Sequence, residues 1–311
     1  MEIFIQILLL SVGFVMLVKG ADWFVDGVSG IAEKFGIPQL VIGLTIVAMG
    51  TSAPEAAVSI TAALRGNAGI TIGNIVGSNI LNILIILGIT GVITTVAVSL
   101  STLKYETPYL IVITIVLIIM GITGNSISRI EGIILWGLFL IYLGYLFAMA
   151  KKGMSKVDEE KKNDGMIKLI IASILGGILI IWGSSLTVDS ASYIEKIFGM
   201  SERFIGLTIV ALGTSLPELF TSVTAAIKGK ADIAIGNIVG SNIFNILFVI
   251  GTSALITPVV FESKFVIDTI ISVAAAVLLI ISVIKTKSLR RPWGIIMLAG
   301  YVLYFVYLAL C

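Results

Sequence analysis

The sequence predicts an all-α polytopic membrane protein whose ten transmembrane helices form two inverted five-helix repeats. Three observations lead to this prediction: charge is scarce, long apolar stretches recur along the chain, and a pair of motifs occurs twice. Apolar residues make up 58% of the 311 residues and charged residues only 12%, with a mean hydropathy of +1.14. Soluble domains carry about 25% charged residues, so this composition indicates a protein that lies in a lipid bilayer.

Composition also excludes several classes of function. The net charge of +2 is too small to favour nucleic acid as a partner, histidine is absent, and Cys311 is the only cysteine. A disulfide framework, a cysteine metal cluster and histidine ligation are therefore excluded. The chain has no candidate catalytic triad and no G-x-x-x-x-G-K-[ST] loop, so we expect neither an enzyme nor a nucleotide partner, and no cofactor.

Ten apolar stretches have about the length that a bilayer requires of a helix. The predicted spans are 2–19, 38–64, 70–97, 108–123, 130–150, 167–186, 203–227, 232–257, 265–284 and 292–310. The only substantial polar stretch, 151–166, separates a first five-span unit at 1–150 from a second at 167–311.

The basic residues orient these spans, because cytoplasmic loops carry an excess of lysine and arginine. With the linker in the cytoplasm, that side holds fifteen of the twenty basic residues, and the opposite side keeps Arg65, Arg129, Lys196, Arg203 and Lys264. We therefore expect a protein of the plasma membrane (the inner membrane of a bacterium) with both termini outside.

Two long motifs are duplicated. Gly43-Leu-Thr-Ile-Val-Ala-Met-Gly-Thr-Ser-Ala-Pro-Glu55 returns at 206–218, and Ile72-Gly-Asn-Ile-Val-Gly-Ser-Asn-Ile-Leu-Asn-Ile-Leu84 returns at 235–247. Both pairs are offset by 163 residues (Gly206 against Gly43). Since each unit contains an odd number of spans, the copies must have opposite orientations in the membrane. Inverted repeats with interrupted helices are typical of secondary transporters.

Each copy has a glutamate inside a predicted span, Glu55 and Glu218. A carboxylate at the bilayer centre costs at least ~2.5 kcal/mol, so such residues usually face the protein interior and serve a function. The alternative is a structural carboxyl that is neutral or bonded to a neighbouring helix. We favour function, because the cost recurs in equivalent sequence contexts.

Pro54 and Pro217 precede the glutamates and predict helix breaks at 48–52 and 211–215, because proline removes one hydrogen bond and clashes with the preceding turn. The breaks free backbone carbonyls, and hydroxyls lie within one turn of each glutamate: Thr51, Ser52, Thr214 and Ser215. Carboxylate, carbonyl and hydroxyl oxygens together favour hard cations such as calcium and sodium.

The second motif supplies an opposite wall. Ser78 and Asn82 share one helix face, as do Ser241 and Asn245; we favour ion ligation over plain interhelical hydrogen bonding for all four. For the small-xxx-small glycine pairs of this motif we favour helix packing.

Charge narrows the class of function. Two ionised glutamates give a charge of −2, which one calcium ion or two sodium ions would neutralise. Competition between these ions for shared ligands is a basis for antiport, because an empty pocket leaves two buried carboxylates unpaired. A cation channel is the alternative from another class; channels, however, usually build their filter from several subunits, whereas this chain holds both copies of the site.

The two motifs resemble the alpha-repeats of the calcium/cation antiporter superfamily, most of all its prokaryotic sodium/calcium exchanger branch. The repeats would occupy about 38–97 and 203–257. The resemblance implies calcium/sodium antiport in calcium homeostasis, with the first and sixth helices sliding. It makes Glu55, Glu218 and the carbonyls of Thr51 and Thr214 calcium ligands. It implies sodium sites at Ala48, Thr51 and Ser78 and at Ala211, Thr214 and Ser241, with Asn82 and Asn245 between them.

One position departs from part of that superfamily. Several relatives, including potassium-dependent exchangers, carry aspartate where this chain has Asn245. The departure weakens the case for potassium co-transport. Calcium/proton exchange is the other alternative, but the acidic residue of that branch is missing from the Gly-Asn segment.

Overall fold

The computed structural model describes residues 2–35, 43–153, 165–227, 229 and 231–310. Two parts of the predicted organisation lie outside these residues: 154–164 of the polar linker and 38–42 at the start of the second predicted span.

The described chain is helical apart from four two-residue strands. The helices of the first half are α1 (Glu2–Lys34), α2 (Gly43–Val47 and Ala48–Thr51), α3 (Ala53–Leu64), α4 (Ala68–Leu81, Asn82–Leu87 and Gly88–Ile93), α5 (Thr102–Glu106 and Thr107–Gly124) and α6 (Arg129–Gly153). Those of the second half are α7 (Met166–Phe198), α8 (Glu202–Ile205, Gly206–Val210 and Ala211–Thr214), α9 (Leu216–Ile227), α10 (Ala231–Phe244, Asn245–Ile250 and Gly251–Ile256), α11 (Lys264–Val283) and α12 (Arg291–Leu310).

Eight helices within the described residues are long and apolar enough to cross a membrane, and the pair α8–α9, bent by 43°, would make a ninth. In the first half the corresponding pair is α2–α3, whose α3 has only 12 residues. A count of eight to nine spans, not ten, is what the described residues give.

Two helices form the centre of the molecule and three others are the least buried. In α4 and α10, 83% of the most apolar window is buried, against 22% in α1, α7 and α12. Close approach at the centre depends on glycine: a Cβ on Gly77 would lie 2.7 Å from the Leu207 carbonyl oxygen, and one on Gly240 would lie 2.9 Å from the Ala48 Cβ. The packing interpretation of these two motif glycines is confirmed.

The long outer helices α1 and α7 contact each other through glycines. A Cβ on Gly183 would lie 2.9 Å from the Gly13 carbonyl oxygen, and one on Gly176 would lie 2.5 Å from that of Gly20. The earlier glycine of α1, Gly13, meets the later one of α7, Gly183, and Gly20 meets Gly176. The two helices are therefore antiparallel. Gly13 corresponds to Gly176, and Gly20 to Gly183, by the same offset that relates the duplicated motifs.

Two short antiparallel ribbons, which the sequence did not predict, join the halves. Strand β1 (Val96–Ala97) pairs with β4 (Ser288–Leu289), and β2 (Ser126–Ile127) pairs with β3 (Val259–Val260). Strands β1 and β2 lie at opposite ends of α5, so the two ribbons lie at opposite ends of the helical core.

Candidate functional site

Both predicted helix breaks are present, and each is one residue long. Helix α2 ends at Thr51 and α3 begins at Ala53, so Ser52 (φ −82°, ψ 6°) stands alone between them. Ser215 has nearly the same backbone angles between α8 and α9 (φ −83°, ψ 6°). Pro54 then lies in the first turn of α3, where the missing N–H costs no hydrogen bond.

Each break starts a new helix, and each glutamate lies in its first turn: Glu55 in α3 and Glu218 in α9. Both side chains are fully buried. A helix N-terminus carries partial positive charge, which stabilises a carboxylate there. The break therefore provides an electrostatic partner for a buried acid as well as a bend.

The serines at the breaks bond across the two halves. Ser215 donates to Glu55 Oε1 at 2.9 Å, and Ser52 donates to Glu218 Oε1 at 2.8 Å. The sequence indicated only that each serine is close to the glutamate of its own segment. The observed exchange holds both glutamates in one site.

A belt of four asparagines joins α4 to α10 beside this pair. Asn82 Nδ2 donates to Asn242 Oδ1 at 2.9 Å, and Asn245 Nδ2 donates to Asn79 Oδ1 at 3.1 Å. The amides of Asn79 and Asn242 donate to each other's backbone carbonyls. Helices α4 and α10 become π-helical at Asn82 and Asn245, a distortion that is frequent at functional sites.

Asn74 and Asn237 hold the threonines of the breaks. The Thr214 hydroxyl donates to Asn74 Oδ1 at 3.1 Å, and the Thr51 hydroxyl to Asn237 Oδ1 at 3.0 Å. The two amides donate in turn to the hydroxyls of Ser59 and Ser222. Each hydroxyl uses its hydrogen in these bonds, so its oxygen, like the threonine carbonyl, keeps lone pairs that could face an ion.

The remaining predicted residues break the symmetry. Ser78 donates to Glu55 Oε1 at 3.5 Å, whereas its counterpart Ser241 donates to the Ala48 carbonyl at 3.2 Å. Among the described residues, the Ala211 carbonyl accepts from its own segment alone, from the N–H of Ser215 and the hydroxyl of Thr214. Of the four residues predicted to form the opposite wall, Ser78 is the one whose described hydrogen bonds include a glutamate, as those of Ser52 and Ser215 do. Asn82 and Asn245 donate to asparagines.

Four oxygens in this site have no hydrogen-bond partner among the described residues: Glu55 Oε2, Glu218 Oε2, Asn82 Oδ1 and Asn245 Oδ1. All four side chains are fully buried, and neither glutamate forms an ion pair with a described residue. Buried oxygens without donors are costly unless something positive satisfies them. An oxygen cluster of net negative charge is suited to binding hard cations.

Sequence reasoning missed several of these residues. Asn79, Asn242, Ser59 and Ser222 received no role, although the two asparagines lie inside the duplicated motif and one turn before Asn82 and Asn245. Their position on the same helix face was the available signal.

Two further buried acids were also missed, each near the start of a long helix. Asp268 accepts from Arg203 Nε at 2.8 Å and from Arg203 Nη2 at 2.9 Å. Arg203, which the sequence analysis placed on the outer side at the first residue of the predicted span 203–227, is 6% exposed. Glu106, at the start of α5, is 1% exposed and accepts from the Tyr145 hydroxyl.

A family model described as sodium/calcium exchanger protein matches residues 5–148 and 168–310. Among curated proteins, the chain is 39% identical to the putative antiporter CaxA of Alkalimonas amylolytica, over 94% of this chain and 95% of that one. It is 32% identical to the sodium/calcium exchanger MaX1 of Methanosarcina acetivorans, over 98% of each chain.

Solved structures of the sodium-calcium exchanger NCX_Mj have the same fold. One, soaked with sodium and strontium, superposes with a TM-score of 0.73 at 31% identity and covers 98% of both chains. The likeness extends over essentially the whole molecule.

Proposed function

The chain belongs to the sodium/calcium exchanger protein family, in its prokaryotic branch, and from that premise we propose that it exchanges calcium for sodium across the cell membrane. It is an integral membrane antiporter by family and by its apolar helices. The observation that carries the finer proposal is the set of four unpartnered oxygens on Glu55, Glu218, Asn82 and Asn245.

Calcium and sodium are the substrates of the proposed site. Calcium binds between the carboxylates of Glu55 and Glu218 with the carbonyls of Thr51 and Thr214. Sodium binds on both sides, at Ala48, Thr51 and Ser78 and at Ala211, Thr214 and Ser241, with Asn82 and Asn245 between them. Ser52 and Ser215 fix the glutamates through Oε1, which leaves Oε2 of each for the ion.

Coupling follows from the charge of this site. Two ionised glutamates contribute −2, so calcium or a pair of sodium ions neutralises the pocket. An empty pocket leaves two buried carboxylates without a counter-charge, which is strongly unfavourable. The ion-loaded carrier changes the side to which it opens and the empty carrier does not. Transport is therefore an exchange.

Two geometric relations support an inverted repeat. The corresponding helices α1 and α7 are antiparallel along their glycine contact. The corresponding strands β1 and β3 belong to different ribbons, at opposite ends of α5. Two copies related by a twofold axis in the membrane plane would have both properties.

The same ribbons support the proposed topology. Positive charges assign the segments of β1 and β4 to the cytoplasmic side and those of β2 and β3 to the outside, so each ribbon joins segments of one side. The protein would then expose both termini outside and the 151–166 linker inside. Alternating access would come from α1 and α7, two of the three least buried spans, sliding over the central helices.

Calcium uptake into proteoliposomes that hold the purified chain tests this function. Vesicles loaded with sodium, with potassium or with a proton gradient are compared, and uptake should require the sodium load. If potassium or a proton gradient drives calcium uptake as well as sodium does, sodium is not the specific coupling ion and the proposal is wrong on this point. A passive calcium current without counter-flux would contradict antiport and indicate a channel.

The topology has an independent test. Cys311 is the single cysteine, so a membrane-impermeant maleimide reports on the C-terminus. Intact cells should be labelled at Cys311, and a Cys311→Ser/Ser155→Cys variant, with its cysteine in the linker, should be labelled only after permeabilisation. The reverse pattern would overturn the proposed orientation.

A further inference from the structure

A second polar site lies away from the ion site, between α5 and α6. A cavity of about 350 Å³ opens there, and its walls include Lys104, Tyr105, Glu106, Tyr109, Tyr142 and Tyr145. The tyrosine rings are in mutual contact: Tyr109 stacks on Tyr142 with centroids 5.9 Å apart, and Tyr145 lies 6.4 Å from Tyr142. The cavity is therefore an aromatic enclosure around one carboxyl group.

The polar atoms of this cavity are incompletely satisfied. Glu106 is 1% exposed and accepts from the Tyr145 hydroxyl through Oε1, but its Oε2 has no partner among the described residues. The Tyr142 hydroxyl, in a side chain 5% exposed, also has none. An acid buried with one free oxygen calls for a positive group.

The second half of the chain has the same arrangement with its cation built in. Asp268, Tyr304 and Tyr307 correspond to Glu106, Tyr142 and Tyr145, each with an offset of 162 residues (Asp268 against Glu106). Asp268 is held by two hydrogen bonds from Arg203 and one from the Tyr304 hydroxyl.

The first half lacks that arginine. With the 163-residue offset of the duplicated motif, the position that corresponds to Arg203 is Leu40, three residues before the motif, which carries no charge. Both copies bury a carboxyl group here, and of these two acids only Asp268 is ion-paired among the described residues. The Glu106 cavity lies beside the acid that has no such partner.

We propose that the Glu106 cavity binds the primary ammonium headgroup of a membrane phospholipid. Aromatic faces and a carboxylate are the groups that attract an organic ammonium ion. Calcium sites usually combine several carboxylate and carbonyl oxygens, whereas Glu106 is the one carboxylate among the residues that line this cavity.

The walls of the cavity favour a lipid over a soluble amine. Val112 and Ile141 line it and are 54% and 66% exposed on an apolar helix surface, where acyl chains would lie. Lys104 lines it at the start of α5, near the predicted cytoplasmic face, and is placed to meet the phosphate of the same headgroup. The charge pattern, one acid beside one base, matches a zwitterionic headgroup.

Native mass spectrometry of the purified chain, released from mixed phosphatidylethanolamine and phosphatidylglycerol micelles, tests the proposal. The wild type should retain one phosphatidylethanolamine in preference to phosphatidylglycerol, and Glu106→Gln should weaken this retention about tenfold, as expected for one charge-assisted hydrogen bond. Glu262→Gln, an exposed acid between β3 and α11, is the matched control and should change nothing.

Three outcomes would overturn the proposal: equal retention of both lipids by the wild type, unchanged retention by Glu106→Gln, or displacement of the lipid by millimolar free ethanolamine, which would indicate a soluble amine. If Glu106→Gln does not fold, Tyr142→Phe keeps the ring and removes only the unpartnered hydroxyl. It should still lower phosphatidylethanolamine retention, and retention equal to that of the wild type would contradict the proposal.

Discussion

The two halves of the chain agree closely at the proposed ion site and differ at their flanks, which are the surroundings of Glu106 in the first half and of Asp268 in the second. At the centre, each serine of a helix break bonds the glutamate of the other half, at 2.8 Å and 2.9 Å. At the flanks, Asp268 has Arg203 as its counter-charge and Glu106 has none among the described residues. Residues of both halves build the central site together, so a change in one half disturbs the other. Each flank belongs to one half alone and is free to diverge.

The largest expected effect tests whether the central site is shared. Glu55→Gln and Glu218→Gln each remove one of two buried charges that would neutralise the ion. Each should lower calcium affinity at least about a hundredfold, which is the scale of losing one partner of a buried charge pair. Sodium-dependent calcium uptake in proteoliposomes measures this, with Glu262→Gln as the control. Full transport by either variant would remove that glutamate from the site.

The next largest expected effect is on stability, and it compares the Arg203–Asp268 pair with Glu106. Arg203→Gln leaves Asp268 buried without its cation and should cost about 3–5 kcal/mol of unfolding free energy. Glu106→Gln removes an acid that forms no ion pair with a described residue, and it should cost little or even stabilise the fold. Denaturant unfolding in detergent compares the two variants. Equal destabilisation by the two variants would contradict this prediction, because it would mean that the arginine beside Asp268 makes no difference to stability.

A double substitution separates the charge from the packing at the same flank. Arg203→Met with Asp268→Leu removes both charges and keeps apolar volume, so stability should return to near that of the wild type. A double variant as unstable as Arg203→Gln would attribute the effect to packing alone.

The sequence predicts the centre better than the flanks, for a physical reason. Glu55 and Pro54 could be recognised because a charge and a helix breaker inside an apolar stretch carry a known cost, and the duplicated motif repeats them. The partners across the halves could not be recognised: Ser52 bonds Glu218, 166 residues away, and only the fold brings these groups together.

The flank shows the same limit. Arg203 and Asp268 lie 65 residues apart, and each resembles an ordinary residue at the end of a span. Arg203 was therefore counted only among the basic residues of the outer side, although the structure buries it. The two ribbons were missed because two-residue strands leave no periodic pattern.

A smaller effect tests the exchange of serines at the centre. Ser52→Ala and Ser215→Ala each remove a hydroxyl that holds a carboxylate, a bond of about 1.5–3 kcal/mol, so each should weaken the apparent calcium affinity at least about tenfold. Because the two bonds are equivalent, the two variants should agree within a few-fold. A strong effect from one variant only would show that the glutamates are held unequally.

The smallest expected effect comes from the one asymmetry inside the centre. Ser78 bonds Glu55 at 3.5 Å, the limit of a hydrogen bond, whereas Ser241 bonds the Ala48 carbonyl at 3.2 Å. A neutral hydrogen bond contributes about 1 kcal/mol, so Ser241→Ala should weaken the apparent sodium affinity about fivefold and Ser78→Ala about twofold. Sodium titrations of calcium uptake measure both. An antiporter with inverted repeats exchanges the environments of its two halves as it alternates, so this difference should hold on one side of the membrane and reverse on the other. If the same variant is the weaker one when sodium is titrated from either side, the asymmetry of Ser78 and Ser241 is fixed in the sequence and takes no part in alternation.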